Sequence, residues 1–149
     1  MSIPVNYLEW CKLFDEIVNS PRDEEYVDVI SKGTISWTSG VAERFVRSAS
    51  EMIRARVNAA QNTYQKQVKN ARGISANLTN ALAGLNKEYR YVYRLAKALP
   101  ISDEFRSQIV KQIEDQANQT QASLEESAKA DRTGHLSSIV RNAHVNKLD

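Results

Sequence analysis

At 149 residues the chain fits one domain, and 42% apolar residues with a formal net charge of +2 exclude disorder throughout. Only five glycines and three prolines oppose helix while Ala, Gln, Glu, Lys, Arg and Leu dominate the middle, so the fold class expected is all-α. No apolar run approaches the roughly 18 residues that cross a bilayer, and MSIPVNYLEW lacks a basic region followed by an apolar stretch. A cytoplasmic location is the expectation. Cys11, the single cysteine, rules out an intrachain disulfide and reads as a structural thiol.

Asn6 with Glu9 three positions later is a variant capping box, and Leu8, Cys11, Phe14, Ile17 and Val18 then form an apolar helical face. This predicts a first helix from about Tyr7 to Asn19. Ser20 as N-cap, Pro21 at the first helical position and Asp23 in the first turn predict a short second helix ending at Gly33. Tyr7, Trp10, Phe14, Tyr26, Trp37 and Phe45 crowd the beginning of the chain, where Trp10 and Trp37 are expected to fill a core. Residues 1–40 thus read as a two-helix head. Residues 41–149 read as a long helical hairpin with a short C-terminal helix, in one structural unit with the head.

After a loop offering Ser36, Thr38 or Ser39 as N-cap, apolar or small residues recur at alternating steps of three and four. They are Val46, Ala49, Ile53, Val57, Ala60, Tyr64, Val68, Ala71, Ile74, Leu78, Leu82, Leu85, Tyr89, Val92, Ala96 and Leu99. An average step near 3.5 residues is the repeat that packs helices along a seam. Unbroken up to Pro100, this helix would span roughly 90 Å. Gly73 and Gly84 each cost about 1 kcal/mol against alanine inside a helix, so a break near Gly73 into two folded-back helices is the competing reading. The sequence favours the rod, because Gly73 falls away from the seam.

Pro100 and Ile101 then make a reversal, with Ser102 as N-cap and Asp103 and Glu104 in the first turn of a returning helix. Its facing positions are Phe105, Ile109, Ile113, Ala117, Thr120, Leu124 and Ala128, which predicts antiparallel docking on the seam. That interface is thin, and self-association is expected to cover what it leaves in water. A last helix follows Gly134, with Leu136, Ile139, Val140 and Ala143 facing the bundle. The architecture expected is a small helical head followed by a long, coiled-coil-like antiparallel hairpin or an elongated bundle.

Charge is segregated: residues 1–40 carry −4, residues 41–99 carry +8 and residues 100–149 carry −2. Arg44, Arg47, Arg54, Lys66, Lys69, Arg72, Lys87, Arg90, Arg94 and Lys97 repeat at helical spacing about half a turn from the seam, so packing the seam turns them outward. Arg56 departs from that line. One reading is a solvated face partly neutralised by the acidic returning helix. The other is an anion track whose spaced cations meet successive phosphates of a nucleic acid. Tyr93 shares the basic side, where a base or an arginine could stack on it, whereas Tyr89 belongs to the seam.

Membrane binding is not expected, because the face opposite the cations is alanine-rich and lacks bulky Trp, Phe and Leu. His135 and His144 are nine apart, which does not align them on one helix, and no thiol or carboxylate completes a metal-ligand spacing around them. Each follows an arginine by three positions, at Arg132 and Arg141, a four-residue match too short to define a nuclease pair. No phosphate loop, nucleophile turn or cofactor motif is recognisable, so neither catalysis nor a cofactor is expected. The expected function is a non-enzymatic, self-associating helical scaffold or adaptor presenting a charged, elongated surface to a macromolecular partner, with a second copy of itself and a protein as the expected partners. Nucleic-acid binding through the basic face is the alternative.

Overall fold

The computed structural model describes residues 1–149 as six helices: α1 (Tyr7–Asn19), α2 (Glu24–Lys32), α3 (Ser39–Ala71), α4 (Ser75–Ala98), α5 (Asp103–Ala128) and α6 (His135–Ala143). Helix α1 has the predicted bounds. The Asn6 side chain accepts the Glu9 amide at 2.9 Å, while the Glu9 carboxylate reaches past the cap to the Val5 amide at 3.0 Å. Its buried face differs from the one expected, however, because Trp10, Leu13, Phe14 and Ile17 point inward and Leu8 is 65% exposed. Leu8 lies nearly opposite Trp10 around the helix, and the larger ring fixes which side turns in.

Helix α2 starts later than the sequence predicts. Asp23, not Ser20, is the N-cap, accepting the Glu25 amide at 2.9 Å, and Ser20 instead bonds its hydroxyl to the Tyr26 phenol at 3.1 Å. Gly33 ends this helix at an ordinary φ of −69°, so its glycine is required by space and not by backbone freedom. A Cβ there would stand 2.3 Å from the Trp10 ring. The indole in turn donates to the Thr34 carbonyl at 3.0 Å and meets Phe45 edge-on, with centroids 4.9 Å apart. Trp37 packs its ring on Phe45 too but remains 42% exposed.

The long segment is not a rod. Arg72 and Gly73 take left-handed backbone angles, φ 50° and 78°, and the chain reverses there, so α3 and α4 form the long antiparallel hairpin. The break succeeds because the seam closes on itself. Ala49, Ile53 and Val57 on α3 and Leu82, Leu85, Tyr89, Val92 and Leu99, on α4 or just after it, are buried. Val46, Tyr64 and Leu78 are half-buried, whereas Val68 and Ile74, at the turn, are 37% and 54% exposed. Helix α5 therefore lies mainly against α4 and only lightly against α3. Its Ser102 cap and buried Ile109, Ile113 and Ala117 agree with the sequence.

Helix α4 is the centre of the bundle, flanked by α2, α3, α5 and α6. The Tyr89 hydroxyl joins three helices, 2.8 Å from Thr120 on α5 and accepting from Gln61 on α3 at 3.0 Å. Helix α6 is tied at both ends: Ser75 meets His135 at 2.8 Å, and the Asn86 amide donates to the carbonyls of His144, Val145 and Lys147 at 2.9 to 3.0 Å. One continuous core of 26 residues runs from Trp10 to Val145. No helix is long and apolar enough to cross a membrane.

Arg56, the departure from the basic line, is the charged centre of that core. Its guanidinium grips the buried Glu88 carboxylate with Nε at 3.1 Å and Nη2 at 2.6 Å from Oε1, both side chains being at most 7% exposed. The remaining nitrogen donates to the carbonyls of Ile17 and Ser20, the latter at 2.9 Å, capping the C-terminal end of α1, which has no basic residue in its own last turn. The ring of Tyr91 lies 4.8 Å from the guanidinium carbon, and its hydroxyl donates to the Asp23 carbonyl at 3.1 Å. Burial raises the Tyr91 pKa, which keeps this donor neutral.

Two stability predictions follow from these contacts. Glu88→Ala strands the Arg56 charge in the core and is expected to cost about 3–5 kcal/mol by urea unfolding. Gly33→Ala forces the Trp10 ring from its place, an overpacking cost of about 1–3 kcal/mol measurable as a lowered Tm; an unchanged Tm would mean the ring has room.

Candidate nucleic-acid interface

The cations of the long segment are outward, as their phase requires, but folding at Gly73 separates them. On both helices they lie opposite the seam, and the two seams face each other, so the α3 and α4 cations occupy opposite sides of the bundle. Arg47, Arg54, Lys66 and Lys69 are exposed along the outer side of α3, with Arg72 at the turn. Arg44 is exposed as well, with its guanidinium 4.8 Å over the Tyr7 ring.

On α4 the neighbouring helices leave one narrow strip uncovered. Lys87, Arg90 and Lys97 are exposed on it and Arg94 is half-exposed, at successive steps of three or four residues. The link before α2 brings Arg22 to the same place, where it lines an open concavity of about 400 Å³ with Glu24, Lys87, Arg90 and Arg94 and no apolar residue. Sequence reasoning missed Arg22, since it lies far from α4 along the chain and shares no periodicity with it. A second cleft of about 260 Å³ next to it reaches inward past Ser20 and Thr63 to the Arg56–Glu88 pair.

Of the ten sequence-predicted cations, Arg94 alone forms an ion pair, with Glu24. None of the acids of the returning helix forms an ion pair with the others. Asp103 pairs with Arg106, Asp115 with Lys111 and Glu126 with Lys129, all local to α5 and its cap. Tyr93 is half-buried at the edge of the strip, and its ring carries the Lys97 ammonium 5.0 Å from the centroid. A base would have to displace that cation to stack there.

The packing residues predicted beside these cations divide as the fold requires: Ile53, Val57, Leu82, Leu85, Tyr89, Val92 and Leu99 are core, and Val68 is surface. The two histidines stand at opposite ends of α6, His135 on Ser75 and His144 as the C-cap at φ 47°. No group of three His, Cys, Asp or Glu side chains is placed to hold a metal ion. Comparison with known proteins finds no matching family model, no matching curated protein and no matching solved structure.

Proposed function

We propose that this chain is a non-enzymatic helical scaffold that holds a polyanionic partner, a nucleic acid in particular, on its cationic surfaces. The observation supporting this reading is that nine of the ten outward cations have no acidic partner, even where Glu24 shares a concavity with Lys87 and Arg90. An ornamental charge line would be expected to pair across helices where it can. Seven of the nine instead remain in water, free to exchange counterions for phosphates, while Arg44 and Lys97 lie over the Tyr7 and Tyr93 rings. The α4 strip is the sharper of the two surfaces, since Arg22 joins it from another element and Lys87 to Lys97 spans roughly 15 Å along the helix axis.

Such a site contacts phosphates and reads no bases, so affinity should depend on salt and hardly on sequence. With Arg22, Lys87, Arg90 and Lys97 engaged, log K for generic duplex DNA against log salt should slope by about −3.6. Fluorescence anisotropy at low and raised salt measures it. The variant carrying Lys87→Glu, Arg90→Glu, Arg94→Glu and Lys97→Glu should lose binding while keeping its helical circular dichroism. Glu24→Gln should act in the opposite direction, freeing Arg94 to add about one more phosphate contact and steepening the slope by about 0.9. Absence of binding by the unmodified protein at low salt rejects the reading.

A further inference from the structure

The turn between α3 and α4 combines three features. It is short, with only Arg72, Gly73 and Ile74 between the helices, and two of those residues have positive φ. One of the two is Arg72, whose side chain makes a left-handed conformation costly where glycine would not. The turn is also weakly held: Ile74 is the N-cap of α4 without a side-chain capping bond, and a Cβ on Gly73 would meet nothing within 4 Å. The side chains of Arg72 and Ile74 make no hydrogen bond or ion pair, and the tertiary contacts nearby belong to the helices on either side, through the buried Ala71 and through Ser75, which meets His135 at 2.8 Å.

The seam, in contrast, continues through the turn. Val68, Ala71, Ile74 and Leu78 continue it at steps of three, three and four, an irregularity confined to this point, and Val68 and Ile74 are the two members of the seam exposed at the surface, at 37% and 54%. They are uncovered because the chain reverses there, leaving no helix beyond the turn to lie against them.

We propose that residues 72–74 are a hinge, and that a second copy of this chain is the partner that covers the exposed end of the seam. In this exchange α3 and α4 of each copy join into one helix through Gly73, and α4 to α6 of one copy dock on α1 to α3 of the other. The α3–α4 interface, the most extensive in the fold, reappears between copies, as do the Arg56–Glu88, Arg94–Glu24 and Tyr91–Asp23 contacts. What is new lies at the twofold axis, where Val68 and Ile74 of the two copies meet. The same straightening returns the α3 and α4 cations of each copy to one side of a continuous helix, uniting two basic surfaces that the hairpin separates.

Opposed substitutions test the hinge. Gly73→Ala is strained at φ 78° in the turn but favourable inside a helix, so the dimerisation constant should rise on the order of several hundredfold, the effect counting once for each chain. Arg72→Gly relieves the turn and weakens the continuous helix, so that variant should remain monomeric. Light scattering from micromolar to millimolar concentration reads both.

Spin labels at Asn58→Cys and Ala83→Cys, in a Cys11→Ser background and diluted with unlabelled Gly73→Ala protein, identify the dimer. Their separation within one chain should grow from about 20 Å across the hairpin to about 38 Å along a straight helix. A Gly73→Ala protein that stays monomeric overturns the proposal, and so does a dimer that keeps the short distance, since it would associate through another surface. Loss of helical structure in Gly73→Ala overturns it equally, because a chain able to exchange has a folded alternative. DNA affinity enters none of these readouts, so failure here is independent of failure of the nucleic-acid reading.

Discussion

The buried pair of Arg56 and Glu88 is the constraint around which the other helices are placed. Taking two charges out of water is costly, and the cost is offset only when the geometry is close and every remaining donor finds an acceptor. Here the guanidinium does both: it holds the carboxylate of α4 through two nitrogens and gives its third to the open carbonyls at the end of α1. Tyr91 covers its face and anchors Asp23, the residue that caps α2. Four helices therefore converge on one cation, and no buried side-chain nitrogen or oxygen is left without a partner. An apolar pair could fill that volume, but it could not satisfy the Ile17 and Ser20 carbonyls.

That arrangement also fixes the register of the hairpin. Sliding α4 along α3 by one turn would separate Glu88 from Arg56 while leaving alanine and leucine facing similar residues, so the apolar seam alone discriminates poorly between registers. A single polar contact in an apolar interface is well suited to selecting one alignment. With the register set, Tyr89 falls between Gln61 and Thr120, and Asn86 falls where the carbonyls after α6 arrive.

Much of this was legible in the sequence because it depends on local chemistry. Asn6, Ser102 and Pro100 mark helix ends through groups a few residues away, and the 3.5-residue step identifies which faces are buried wherever their partners lie. The break at Gly73 was not legible. A glycine costs about 1 kcal/mol in a helix, too little to decide between a rod and a hairpin whose difference lies in the burial of two whole faces. Leu8 shows the same limit on a smaller scale, since the α1 face is set by where Trp10 fits against Gly33 and Phe45. The cations were legible as outward by phase, but their division between two sides of the bundle, and the arrival of Arg22 beside Lys87, follow from tertiary folding alone. Arg56 carried a usable signal, as the one base of its segment out of phase with the rest.

The segregation of charge written in the sequence survives folding because each sign is held mostly within its own element. Between Glu51 and Glu88 the chain has no acid at all, whereas three of the six acids of α5 find a lysine or arginine within a turn of themselves. The outcome is a body of formal charge +2 whose α3 and α4 exteriors are positive and whose α2 and α5 exteriors are not. A net charge that small attracts a polyanion weakly from afar, and at physiological salt the field of any one side chain fades within about 8 Å. Recognition by such a molecule must then be a matter of contact: the cationic surfaces act on phosphates already beside them, while the acidic elements turn away the same partner in other orientations. Electrostatics here selects how a partner sits more than how fast it arrives.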